Sequence, residues 1–170
     1  QSRRSLLFAF VGAEEQGLLG SLYLALHPPV APGKLAAAVN MDGAQIHGRS
    51  LDISYVGYGR STVDQAAQMA ADLQGRVIKG DQDPSKGYFY RSDHFSLAKI
   101  GVPSLNFEGG EDLRSGGIEA GKAFGEIYIN QHYHQASDEI IDEWKFDGMV
   151  EGAQFGFYTA WSLANQSALP

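Results

Sequence analysis

The first ordered pattern along the chain is an unbroken apolar run at residues 6–11, Leu-Leu-Phe-Ala-Phe-Val. A run of strand length without polar alternation predicts a strand covered on both faces. Gly12 ends it, and residues 17–26 read as a helix that stops at His27-Pro28-Pro29. Residues 35–41 (Leu-Ala-Ala-Ala-Val-Asn-Met) predict a second buried strand running into Asp42-Gly43, and residues 51–56 a third, broken by Gly57-Tyr58-Gly59. Val63, Ala66, Ala67, Ala70 and Leu73 recur at helical spacing and predict an amphipathic helix over residues 62–74. Residues 76–79 predict a short edge strand, residues 93–99 a short helix, and residues 102–107 a strand after the turn at Gly101.

Residues 108–135 are glycine-rich with little periodicity, which predicts a long functional or mobile loop. The last helix is expected over residues 146–165, with Val150, Ala153, Phe157, Trp161 and Ala164 on one stripe. Strands alternating with helices define an α/β chain: a three-layer α/β/α sandwich around a mostly parallel, mixed sheet. At 170 residues the chain reads as a single domain, without internal repeats or low-complexity tracts.

Composition narrows the partners. With 44% hydrophobic and 19% charged residues there is enough apolar material for a core. No apolar run reaches the roughly 18 residues of a membrane-spanning helix, so no membrane partner is expected. Thirteen basic against 20 acidic residues give a net charge of -7, which repels phosphate backbones and argues against nucleic acid. Cysteine is absent, so any transition-metal site must be built from His, Asp and Glu, a donor set for which zinc is the commonest choice. Residues 1–5 are polar and the following apolar run is short, so the chain shows no signal-peptide pattern.

Candidate chemistry collects where strands end, as ligands do in open α/β sheets. The first predicted strand leads into Ala13-Glu14-Glu15-Gln16-Gly17, the second into Asn40-Met41-Asp42-Gly43. Two adjacent carboxylates project in different directions, so one can hold a metal while the other handles a proton. A helix N-terminus that favours acidic neighbours explains the pair equally well. His134, in Tyr133-His134-Gln135-Ala136-Ser137-Asp138, could swing over the sheet edge as a ligand or be a surface histidine. In Ser92-Asp93-His94, either Ser92 or Asp93 could cap the following helix. His27 and His47 read as structural.

In combination these elements are far more specific. Ala-Glu-Glu-Gln-Gly-Leu-Leu-Gly-Ser, Asn-Met-Asp-Gly, Ser92-Asp93-His94 before Gly101-Val102-Pro103, and Tyr133-His134 before Asp138 occur in one order. That order resembles the co-catalytic di-zinc aminopeptidase family, whose relatives include glutamate carboxypeptidase, glutaminyl cyclase and the non-enzymatic transferrin receptor. The resemblance implies a zinc-dependent metallopeptidase that removes amino-terminal residues from peptides. It implies Glu14 as the general base, Glu15 and His134 as ligands of one zinc, and Asp42 as a ligand of the other. Tyr133 is similar to a tyrosine that steadies the oxyanion. Asp93 and Asp138 resemble groups that orient ligands, and Ser92-Asp93-His94 marks the pocket wall. A secreted or periplasmic location is compatible with the family.

The family also takes a His and a bridging Asp from a segment upstream of Glu-Glu, and Glu14 is only the fourteenth residue here. The expectation is therefore a domain lacking its amino-terminal part, holding one or two zinc ions. Its uncovered sheet surface would be met by a missing segment or by a second copy of the chain. Two other readings of the resemblance are a non-catalytic binding domain of the same fold and a single-zinc acyltransferase like glutaminyl cyclase. Gly57-Tyr58-Gly59-Arg60-Ser61-Thr62 resembles the opening of a dinucleotide fingerprint, but Thr62 stands at the third glycine. A glycine turn capping a helix through Ser61 or Thr62 accounts for it as well.

Overall fold

The computed structural model describes residues 2–168 and 170. Four short strands, β1 (Ala38–Asn40), β2 (Asp52–Val56), β3 (Val77–Gly80) and β4 (Ser104–Gly109), form one sheet in the order β1-β4-β2-β3. β1 runs parallel to β4 and β2 parallel to β3, while β2 and β4 are antiparallel, so the sheet is mixed. Among the described residues five α-helices surround it: α1 (Leu19–Leu26), α2 (Val63–Gln74), α3 (His94–Lys99), α4 (Gly117–Gln131) and α5 (Phe146–Asn165). Among the described residues no helix is long and apolar enough to cross a membrane.

Alternation along the strands gives the sheet two unlike faces. Val39, Ile53, Tyr55, Ile78, Leu105 and Phe107 share one core with Val63, Ala66, Ala67, Ala70 and Ala71 of α2 and with Phe155 and Leu163 of α5. Small residues on α2 let it lie close to α5. Phe107 and Phe155 meet edge to face at 4.7 Å, worth about 0.5–1.5 kcal/mol beyond their buried area. The intervening positions, Asn40, Asn106 and Glu108, form the other, polar face. There α3 lies against β1 and β4, and α1 packs on α3 with the buried Ser21 hydroxyl donating to Ser96 at 3.0 Å. Helices on both faces complete the three layers.

A buried ionic cluster fastens α5 to the rest. Glu151 is 3% exposed. It accepts from Arg49 Nε at 3.0 Å, Arg114 Nη2 at 3.3 Å and the Ser50 amide at 3.2 Å. Arg76, equally enclosed, lies 3.7 Å from the same carboxylate and donates to Ser50 Oγ and the Asp52 carbonyl at 2.8 and 2.7 Å. At the other end of α5, the Arg4 guanidinium donates to the carbonyls of Leu163 and Gln166, where a helix terminus favours a cation.

Three expectations are corrected. Residues 6–11 form no strand. They have no ladder partner among the described residues, and Leu7, Phe8 and Phe10 are largely exposed; an apolar run becomes a strand only where another strand takes its backbone hydrogen bonds. The predicted loop at 108–135 contains the 15-residue α4, hidden because glycines interrupt its pattern. The stripe on α5 is mostly outside: Val150, Phe157 and Trp161 are 43–55% exposed. The buried side is Gly148, Glu151, Phe155, Thr159, Leu163 and Ala164. Gly148 carries the first turn onto the carbonyls of Gln45 and Gly48, which a side chain would strike. The expected edge strand is β3, at the sheet margin.

Two expectations about stability follow. Phe155→Ala should lower unfolding free energy by about 3–5 kcal/mol, whereas Phe157→Ser on the exposed stripe should change it by about 0.5 kcal/mol or less; urea denaturation of both variants measures the contrast. Glu151→Ala leaves buried arginine charge unpaired and should cost about 3–5 kcal/mol by the same measurement.

Candidate metal centre and active site

Glu14 and Glu15 lie in a tight turn between the apolar run and α1. The Leu18 amide bonds the Glu14 carbonyl at 2.8 Å and the Leu19 amide bonds the Ala13 carbonyl at 3.1 Å. Gly20 is needed where α1 crosses this segment, since a Cβ there would run into the Gly12 carbonyl. Ala13 and Leu18, at the two sides of the turn, have φ of 59° and 60°, and His134 has φ of 60°. These are the non-glycine residues with positive φ among the described residues, a conformation costing roughly 1–3 kcal/mol each that clusters at functional sites.

His134 sits in the turn after α4, and its Nε2 lies 2.7 Å from Glu15 Oε1. Two turns 119 residues apart in sequence are thereby joined at the surface. Tyr133 stacks on the imidazole with 3.8 Å between ring centres. Asp42 follows β1, and its Oδ2 accepts from the Ser92 hydroxyl at 2.8 Å. Partial burial, reinforced by Asp42, Glu15 and Asp93 and opposed by His134, raises the Glu14 carboxyl above its ordinary value. Burial and the charge of Glu15 likewise raise the Tyr133 phenol, against the pull of Arg91. Glu14, Glu15, Asp42, Asp93, Tyr133 and His134 thus occupy one electrostatic neighbourhood.

The remaining candidates differ in role. Asp93 precedes α3 without a side-chain capping bond, and Ser92 Oγ accepts from Asn40 Nδ2 while donating to Asp42; among the described residues no backbone amide of α3 donates to either side chain. His94 is 1% exposed with its ring edge-on to Phe89; burial lowers its pKa to about 4, which makes it a neutral wall group. Asp138 accepts from the Tyr128 hydroxyl at 2.9 Å, an anchor for the turn that carries His134 rather than a partner of its ring. His27 packs at a tilt against Tyr23 and His47 stacks on Phe124, as structural histidines do. The Gly57–Gly59 turn is closed by Asp64, which accepts from the Gly59 amide and the Tyr55 hydroxyl at 2.7 Å each, while Ser61 Oγ accepts from the Val63 amide. A helix-capping turn therefore accounts for that motif.

Sequence reasoning missed Asn40 and Asn106 as parts of the site. Asn40 Nδ2 donates to Ser92 Oγ at 2.8 Å and to Asn106 Oδ1 at 2.9 Å. The signal available was an asparagine inside an apolar strand, where its β-propensity is poor. Glu108, also missed, reaches solvent at one edge yet is flanked by protein; that desolvation, then the Asp42 charge, raises its carboxyl.

With this geometry in view, comparison with known proteins is informative. The model of peptidase family M28 matches residues 1–149. The chain belongs to peptidase family M28. Among solved structures it is similar to a zinc aminopeptidase from Bacillus subtilis, at 18% identity and a TM-score of 0.60, over 93% of this chain and 36% of that one. The LapA aminopeptidase of Legionella pneumophila gives 16% identity and 0.64 over 94% and 39%. An aminopeptidase from Aneurinibacillus sp. strain AM-1 gives 16% and 0.58 over 94% and 34%. These likenesses show the α/β fold, and the chain spans between a third and two fifths of the length of those structures. A search of curated protein sequences gave no match.

The donor set can be tested against zinc. Imidazole and carboxylate are suitable ligands, and two ligands of a tetrahedral zinc stand about 3.3 Å apart. Glu15 and His134, at 2.7 Å and more than half exposed, need open by only about half an ångström. Asp42 offers a further carboxylate nearby. Among the described residues no three His, Asp or Glu side chains form a ready-made metal cluster. The donor chemistry of these side chains suits zinc. Elemental mass spectrometry of purified protein should find zinc that is lost in both Glu15→Ala and His134→Ala.

Proposed function

We propose that this chain carries catalytic machinery of a zinc-dependent aminopeptidase that releases amino-terminal residues from peptides. The observation that carries the reading is the gathering of Glu15, Asp42, Asp93 and His134 around Glu14, with Glu15 and His134 in direct contact, in a member of a peptidase family. Zinc held by Glu15 and His134, with Asp42 as a further donor, supplies Lewis acidity toward the scissile carbonyl. Glu14 takes the proton of the attacking water on its carboxylate and returns it to the departing amine as the C–N bond breaks. Its raised pKa makes it a stronger base than an ordinary carboxylate. The Tyr133 phenol, protonated at neutral pH as any ordinary phenol is, donates to the oxygen that develops negative charge.

Crowded carboxylates also favour a cation, and the free α-ammonium of a peptide is one. That complementarity is the physical reason to prefer an aminopeptidase. The aromatic turn Tyr88–Tyr90, which ends three residues before Asp93, favours apolar amino-terminal side chains.

The test is the Glu14→Gln variant. It should retain zinc and lose about 10²- to 10⁴-fold in turnover, measured on zinc-loaded protein with a peptide bearing a free amino terminus. Equal turnover in the variant would overturn the mechanism. Ammonia release from amino-terminal glutamine, in place of a free residue, would identify an acyltransferase instead.

A further inference from the structure

We infer that Asn40 and Asn106 are positioning residues: together they set the direction of the hydrogen bond received by Asp42 and so select which of its oxygens faces a cation. The inference rests on the metallopeptidase reading of Asp42.

The argument begins with valence. Asn40 Nδ2 has two protons, and both are committed, one to Asn106 Oδ1 at 2.9 Å and one to Ser92 Oγ at 2.8 Å. A hydroxyl has one proton and two acceptor sites. Because Ser92 accepts from Asn40, its single proton is left for Asp42 Oδ2 at 2.8 Å. The chain therefore has a polarity, running from Asn40 through Ser92 to Asp42, with Asn106 as the acceptor that fixes which way the Asn40 amide is turned. Were that amide reversed, its oxygen would compete for the serine proton and Asp42 would lose its donor.

Position in the fold makes the arrangement rigid. Asn40 ends β1, Asn106 is its register partner on β4, and both lie on the polar face of the sheet. Asn106 and Ser92 are each 5% exposed, so water competes poorly for these bonds. Asp42 itself is exposed. Its Oδ2 is engaged from the protein side, and Oδ1 is the oxygen left to meet a ligand from solvent. Groups of this kind that orient a ligating carboxylate typically change metal affinity by about 10- to 100-fold.

Two isosteric substitutions separate this device from simple electrostatics. Asn40→Asp and Asn106→Asp each add one negative charge to the same face, and charge alone would tighten zinc binding in both. The directional relay makes a different demand. Asp at 40 cannot donate and takes the Ser92 proton for itself, whereas Asp at 106 still accepts from Asn40. Zinc affinity, measured by competition with a chromogenic chelator on folded protein, should fall about 10- to 100-fold in Asn40→Asp and be equal or tighter in Asn106→Asp. Tightening in both variants, or no change in Asn40→Asp, would overturn the relay. Hydrogen exchange of the Asn40 side-chain amide in zinc-free wild-type protein decides the matter independently of metal. Protection of its protons supports the relay, and free exchange overturns it. Failure of the wild-type chain to take up zinc would count against the metallopeptidase reading alone, with the amide measurement still judging the relay.

Discussion

The two-residue period of the strands makes the two faces of this sheet chemically opposite, and the placement of nearly everything else depends on that. Odd positions on β1, β2 and β4 are Val39, Ile53, Tyr55, Leu105 and Phe107, an apolar surface that α2 and α5 bury. Even positions include Asn40, Asn106 and Glu108, which could not be buried against an apolar helix without leaving polar groups unpaired. Asn40 donates instead to Asn106 and to Ser92, in the segment before the short α3 that lies over this face, while Glu108 stays exposed. One face is a core and the other is the floor of a site.

That division explains why the candidate chemistry sits where it does. Asp42 emerges at the end of β1 and is steadied from below by the polar face. The Glu14-Glu15 turn and the His134 turn come in from either side, joined by one contact of 2.7 Å between exposed groups. Such a contact is worth little in water. Its geometry is held by the strained backbones of Ala13, Leu18 and His134 and by the Tyr128–Asp138 anchor. Local backbone strain is tolerated here because the surrounding packing fixes it, and such strain clusters at functional sites.

Away from the site, the Glu151 cluster does for α5 what the apolar core cannot. Its residues Arg49, Arg76 and Arg114 come from three separate segments, and one carboxylate gathers them. A buried charge without partners would be intolerable, so the cluster constrains the position of α5 more than it stabilises it.

The amino-acid sequence by itself determined the α/β class, the edge position of β3, the helices α1, α2, α3 and α5, and the residues that gather around Glu14. These follow from local rules: periodicity, turn residues and the donor chemistry of His and carboxylates. It also carried the family, because the motifs that bear it are short and contiguous. Only the tertiary structure decided the rest. Residues 6–11 have strand propensity but no ladder, since strand formation needs a neighbour that local sequence does not specify. The inward side of α5 departs from the apolar stripe because Gly148 and Glu151 share it with Phe155 and Leu163, the first through close backbone approach and the second through ion pairing. Asn40 and Asn106 joined the site only when β1 and β4 were seen in register, 66 residues apart. Which polar atoms meet across a sheet is a property of strand pairing, and pairing is settled by the whole chain.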